Sequence, residues 1–195
     1  MTWFDTTLML WVAAHRFPLG DQLTQGIMSL STNLVILTVA ALLGFIFVVA
    51  RQRYQLAVGL AIAVVASTLI AGLLKQVVGR ARPPASMALV HANGLSMPST
   101  DAALTAAAAT ALYAGLVWLH PRSRRLAGVI LAAGVIAVGL CLIYLGVHWP
   151  TDVLAGWAVG IVVGAGTASM LPPRRWRRER QRHHLEDPTE GAMRH

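Results

Sequence analysis

The chain has 195 residues, of which 56% are hydrophobic and only 12% charged, and its mean hydropathy is +0.60. That balance excludes an ordinary soluble domain, and the length suits one domain. A net charge of +8 would suit a nucleic-acid binder, but the positive charge lies mainly in short loops and a C-terminal tail, which points to membrane topology instead. The one cysteine, Cys141, sits inside an apolar run, allows no internal disulfide and says nothing about redox compartment.

Residues 1–32 hold two short mixed segments, 3–15 and 21–30, separated by Arg16-Phe17-Pro18-Leu19-Gly20. The first falls short of the ~20 apolar residues that a spanning helix needs. Trp3, Phe4 and Trp11 suit the headgroup level, where amphipathic rings settle. The expectation is interfacial helices lying against a bundle, with a tilted or incomplete sixth span as the alternative. Asp5, the lack of an early basic cluster and the lack of a small-residue cleavage site argue against a secretory leader.

Five apolar runs follow, at 34–50, 54–74, 102–119, 126–147 and 153–171. They are continuous rather than alternating, and a backbone facing lipid must satisfy its own hydrogen bonds, so they are predicted to be helices. The predicted fold class is therefore all-α: a polytopic transmembrane helical bundle of about five spanning helices. Its parts are an interfacial region at 1–32, a transmembrane domain at 33–171 and a basic tail at 172–195, expected to be disordered. Gly156, Gly160 and Gly164 recur every fourth residue along the last run. That spacing places small residues on one stripe, where a neighbouring helix approaches closely.

Basic residues set the orientation. With five spans, one side collects Arg51, Arg53, Arg122, Arg124, Arg125 and the seven arginines of the tail. The other collects Arg16, Lys75, Arg80 and Arg82. The positive-inside rule places the C-terminus in the cytoplasm and the second group on the outer face. The tail is expected to be solvated or to touch anionic lipid headgroups rather than nucleic acid.

Ionisable groups at the ends of membrane helices are costly and by default mark a functional site. Lys75 closes one run, and Arg82 follows seven residues later, two turns on if the helix continues to Pro83-Pro84. Together they offer a point charge and a planar fork for phosphate oxygens, although snorkelling anchors are the ordinary explanation of such cations. Pro98-Ser99-Thr100-Asp101 leads into the alanine-rich run. Ser99 or Thr100 can cap that helix, and the same helix start can receive phosphate oxygens. His148 precedes Trp149-Pro150-Thr151-Asp152, so Asp152 lies one turn on, within reach of the imidazole. A carboxylate holding one ring N–H leaves the other nitrogen free as a nucleophile, while a pair that merely stabilises a helix start is the alternative. The loop between these segments carries His91, which alone has no assigned task.

Taken together, these motifs resemble the membrane branch of the type 2 phosphatidic acid phosphatase family (PAP2), which shares its site with vanadium haloperoxidases. The family pattern is Lys-x6-Arg-Pro, Pro-Ser-Gly-His and Ser-Arg-x5-His-x3-Asp. Here the first is complete as Lys75, Arg82 and Pro83, and the third keeps His148 and Asp152. The resemblance covers roughly residues 20–171. It departs at Asp101, where the family has histidine, with Thr100 for glycine, and at Leu142, where the family has arginine, with Cys141 for serine.

The resemblance implies a metal-independent lipid phosphatase, without cofactor, in a bacterial inner membrane with its site facing the periplasm. By the same resemblance His148 is the nucleophile, Asp152 its orienting partner, and Lys75, Arg82 and Ser99 the phosphate ligands. Asp101 is the candidate substitute for the missing acid, and Arg80 for the missing arginine. Losing a positioned acid costs about 10²–10⁴-fold in rate, and losing one charge clamp about 10²–10³-fold. The alternative is an impaired PAP2-like protein that binds a lipid phosphate or a membrane partner without hydrolysis. Candidate substrates by resemblance are phosphatidate, phosphatidylglycerol phosphate and undecaprenyl pyrophosphate.

Overall fold

The computed structural model describes residues 2–32, 54–117 and 119–170. The expected span at 34–50 and the basic tail lie outside the described residues. Those described form six α-helices: α1 (Trp3–Ala14), α2 (Pro18–Thr32), α3 (Tyr54–Val78), α4 (Thr100–Gly115), α5 (Pro121–Tyr144) and α6 (Pro150–Met170). A single 3-10 turn, Ala85–Met87, interrupts the long connection between α3 and α4.

Three helices, α3, α5 and α6, have the length and hydropathy to cross a membrane, at 25, 24 and 21 residues. Their outward faces carry Leu69, Ile130 and Val162, each more than half exposed. Apolar area of that kind is stable only against lipid or another apolar surface. The chain is an all-α integral membrane protein. The expected span at 102–119 is shorter as built: α4 has 16 residues, or ~24 Å at 1.5 Å per residue. It is the inner helix of the bundle, burying Ala102, Ala103, Ala106, Ala107 and Ala111.

The glycine stripe on α6 explains how α4 comes so close. A Cβ added at Gly156, Gly160 or Gly164 would collide with the backbone oxygen of Ser99, Ala103 or Ala107 respectively. Alanine on one helix and glycine on the other thus bring two backbones into contact, as the spacing predicts. Gly160→Ala is expected to destabilise the protein by about 1–3 kcal/mol, because the clash is with backbone that cannot yield locally. Gly166 has open space around its Cβ position, so Gly166→Ala should be neutral or slightly stabilising. Thermal midpoints of the two variants in detergent make the comparison.

The N-terminal helices dock on one end of this core. Arg16 donates through Nε and Nη2 to the Tyr144 carbonyl at 3.1 and 2.7 Å, and through Nη2 to the Met87 carbonyl at 2.7 Å. It thereby satisfies a carbonyl left over at the C-terminus of α5 and favours the negative end of that helix's dipole. Gly146, at φ +76°, turns the chain sharply after α5. A Cβ there would strike the Met87 carbonyl, so the turn requires glycine twice over.

Candidate active site

His148 lies in the turn between α5 and α6 and is only 2% exposed. Arg82 Nη1 approaches its Nε2 at 3.2 Å. Its Nδ1 is 3.6 Å from Asp152 Oδ2, longer than a hydrogen bond, and is buried without another partner. An arginine donates and never accepts, so Nε2 must present its lone pair and Nδ1 must carry the hydrogen. The ring is therefore arranged with its lone-pair nitrogen towards Arg82 and its N–H towards a carboxylate. Asp152 is fixed from both sides: Oδ2 accepts the Trp149 N–H at 2.9 Å and Oδ1 accepts Arg80 Nη1 at 2.7 Å.

Burial holds the imidazole below its ordinary pKa of 6.5, the Arg82 and Lys75 charges push the same way, and Asp152 opposes them. The neutral form therefore persists below pH 6.5. NMR titration of ring-labelled histidine, with the signal assigned by its loss in His148→Ala, should give a midpoint below 6.5. Arg82→Ala should move that midpoint upwards. The unfolded chain takes up a proton near pH 6.5 that the native ring refuses, so this group lowers stability as pH falls through that value.

The cations reach the site by a route the sequence does not predict. α3 stops at Val78, because Gly79 adopts φ +64° and its N–H closes on the Lys75 carbonyl at 2.9 Å. Lys75 and Arg82 are thus not two turns apart on one helix. The loop folds Arg82 back, and its guanidinium donates to the carbonyls of Asn93 at 3.0 Å and Val147 at 2.7 Å. Lys75 Nζ donates to the Leu95 carbonyl at 3.1 Å. Burial lowers the Arg82 pKa, with Asp101 and Asp152 opposing, but a guanidinium stays charged throughout the working pH range.

Asp101 is exposed on the first turn of α4, near enough for its charge to act on Lys75 and Arg82. Ser99 makes the expected cap. It is fully buried, its hydroxyl caps α4 by accepting from the Ala102 N–H at 3.4 Å, and its own N–H donates to the Asp152 carbonyl at 2.9 Å. Its N–H is committed to holding α4 against α6 and is not aimed at a ligand. Arg80 is likewise committed: Nη1 bonds Thr151 Oγ1 at 2.6 Å and Asp152 Oδ1 at 2.7 Å, and Nη2 bonds Asp5 Oδ2 at 2.6 Å. A guanidinium held between two fully buried carboxylates is a brace, not a spare phosphate clamp. Leu142 is packed in the apolar cluster with Met9, Trp149 and Val153. His91 is exposed and lines, with Arg82, Leu89 and Val147, a cavity of about 290 Å³ beside the site. Among the described residues no group of three or more His, Cys, Asp or Glu is placed to hold a metal.

The chain that brings Lys75 and Arg82 to the His148/Asp152 pair has known relatives. The family model described as PAP2 superfamily matches residues 55–176. The chain belongs to the PAP2 superfamily. It is 31% identical over 153 residues to phosphatidylglycerophosphatase B of Bacillus subtilis (strain 168), covering 76% of this chain and 73% of that one. The crystal structure of the first transmembrane PAP2 type phosphatidylglycerolphosphate phosphatase from Bacillus subtilis superposes with a TM-score of 0.74 at 23% identity, over 85% of this chain and 83% of that one. Aquifex aeolicus LpxE superposes with a TM-score of 0.66 at 24% identity, over 87% of this chain and 99% of that one. The superpositions establish a shared fold with these membrane proteins. Within that PAP2 fold, the residues that depart from the motifs occupy unlike settings, Asp101 at the surface of the site and Leu142 inside the apolar core.

Proposed function

We propose that this PAP2 protein is a metal-independent phosphatase of membrane lipid phosphates or diphosphates, acting through a phosphohistidine at His148. The observation that carries the reading is the 3.2 Å approach of Arg82 to His148 Nε2, with Asp152 behind the opposite nitrogen. A phosphate entering between Lys75 and Arg82 exchanges their bonds to the Leu95, Asn93 and Val147 carbonyls for charge-assisted bonds to its oxygens. The amino end of α4 adds a favourable dipole.

In the reaction, the Nε2 lone pair attacks phosphorus and the P–O bond to the lipid breaks. The departing alkoxide takes a proton from Asp101 in its acid form or from water. The ring becomes positively charged, and Asp152 stabilises it without taking its proton. A water then attacks phosphorus and gives up a proton to the Asp101 carboxylate or to solvent, the P–N bond breaks, and inorganic phosphate and neutral His148 are released. Lysine and arginine are worth most when the equatorial oxygens carry the most charge, in the transition state. We place the site on the periplasmic face of a bacterial inner membrane and the C-terminus in the cytoplasm, on the distribution of arginines. The substrate classes are phosphatidate, phosphatidylglycerol phosphate and undecaprenyl pyrophosphate, on the strength of the family resemblance and of the curated relative named a phosphatidylglycerophosphatase.

One observation favours a second reading, in which the protein holds a lipid phosphate without turning it over. Asp101 takes the place in the sequence of the family's histidine, close enough for its charge to act on Lys75 and Arg82, and when ionised it repels the substrate. Purified protein assayed with chelator against the three lipid classes decides between them. Release of inorganic phosphate together with an acid-labile phosphoprotein supports the phosphatase. Binding without release, beside release by Asp101→His, overturns it in favour of the second reading.

A further inference from the structure

Asp5 belongs to no motif of the sequence, yet it is fully buried at the foot of the His148 turn, 146 residues away along the chain from Thr151. Its carboxylate accepts from Thr2 Oγ1 at 2.7 Å, Arg80 Nη2 at 2.6 Å, the Thr151 N–H at 3.0 Å and Thr151 Oγ1 at 2.8 Å. The Thr151 N–H is one of the unpaired donors of the first turn of α6, so Asp5 caps that helix from another helix altogether. Arg80, held by Asp5, reaches on to Asp152 Oδ1, and the second oxygen of Asp152 is the one that faces His148 Nδ1.

We infer that Asp5 is a positioning residue for the phosphatase site: it anchors Arg80 and the start of α6, and through them sets where Asp152 stands relative to His148. The inference rests on the phosphatase reading for its kinetic consequences, but not for its geometry. Asp152 has two oxygens and three neighbours to serve. With Arg80 taking one oxygen and the Trp149 N–H the other, the carboxylate plane is fixed, and the Nδ1–H of His148 meets it at 3.6 Å. Without Asp5, Arg80 has only Asp152 as its carboxylate and is drawn onto it. The carboxylate then turns, and the ring N–H loses the negative charge that faces it and would stabilise the ring when it becomes positive. Burial alone would raise the Asp5 pKa, but the hydrogen bonds from Thr2, Arg80 and Thr151 outweigh it and bring the value down to about 2. The anchor is therefore charged at every pH at which the protein works. Its contribution to stability is full above 3.8 and is lost as pH falls towards 2.

The test is Asp5→Asn in full-length protein in detergent. A shift of about 1 Å in a reacting group costs on the order of 10²-fold in rate, so kcat should fall by that order while KM stays within about twofold. The ring-nitrogen NMR signals of His148, Nδ1 above all, should shift as the facing carboxylate moves, whether or not the protein turns over any lipid. Because Asp5→Asn removes a buried charge, Thr2→Val serves as the milder variant: it takes the hydroxyl's bond to the Asp5 carboxylate and its cap of the Asp5 N–H, leaves the charge, and should shift the same signals by less. Asp5→Glu should recover part of kcat. Unaltered His148 signals in folded Asp5→Asn, or a fall in activity that matches the unfolded fraction alone, would overturn the inference. A native protein that is silent on every lipid but whose His148 signals respond to Asp5→Asn would overturn the phosphatase reading and leave the positioning role standing.

Discussion

His148→Ala will lose phosphate release by about 10⁴-fold or more and will form no phosphoprotein, since removing a nucleophile outright has effects of that order. No neighbour can take its place. Cys141 is buried behind the turn with its thiol towards the Thr24 carbonyl. Ser99 is buried and committed to its cap. The variant should still fold. Arg82 loses one acceptor and keeps two, the Asn93 and Val147 carbonyls. The cavity left by the ring is offset by removal of the partnerless buried Nδ1, a group whose desolvation costs about 1–3 kcal/mol. Circular dichroism and the thermal midpoint check folding, and inorganic phosphate release checks function. Turnover within tenfold of the native rate would mean direct attack by water, and the phosphohistidine would have to be abandoned.

How far the site could be read in the sequence depended on the range of the interactions. The His148/Asp152 pair is local, one turn apart at a helix start, and the spacing alone places both on the site side of α6. The α6 glycines are periodic, and the periodicity correctly anticipates a close helix contact, though not that α4 would be the neighbour. Lys75 and Arg82 do share the site, but not by helical register: the Gly79 turn ends α3 early, and a lone glycine between the two cations, three residues before the second, is a weaker signal than the Pro83-Pro84 pair that follows. Arg80 offered two readings, spare clamp or structural cation, and only the position of Asp5 decides between them. In the sequence Asp5 counts merely as an acid unsuited to a secretory leader. The pattern Thr2-x-x-Asp5 would have pointed to a helix cap, which it is, since the Asp5 N–H donates to Thr2 Oγ1 at 3.2 Å. That the same carboxylate also serves Arg80 and Thr151 is a tertiary fact with no local signature. Ser99 shows the converse: the cap was legible, and the cap consumes the group.

Asp101→His will raise kcat on lipid phosphates by about 10²-fold, the lower end of what a positioned general acid contributes. The gain should depend on the leaving group. An alkoxide departing from a lipid phosphate is strongly basic and needs a proton as the P–O bond breaks, whereas a nitrophenolate leaves without one. With p-nitrophenyl phosphate, native protein and Asp101→His should therefore differ by less than about tenfold, the residue of exchanging a negative charge for a neutral or positive one beside Lys75 and Arg82. The position tolerates the change because the side chain is exposed on the first turn of α4. Leu142→Arg has no such freedom: Leu142 is 3% exposed among Met9, Trp149 and Val153, and a charge placed there without a partner is strongly destabilising. The two departures from the family pattern are thus unequal, one open to repair by a single substitution and the other built into the core. Equal gains by Asp101→His on both substrates would show that Asp101 acts by its charge alone, and that the proton for the leaving group comes from water.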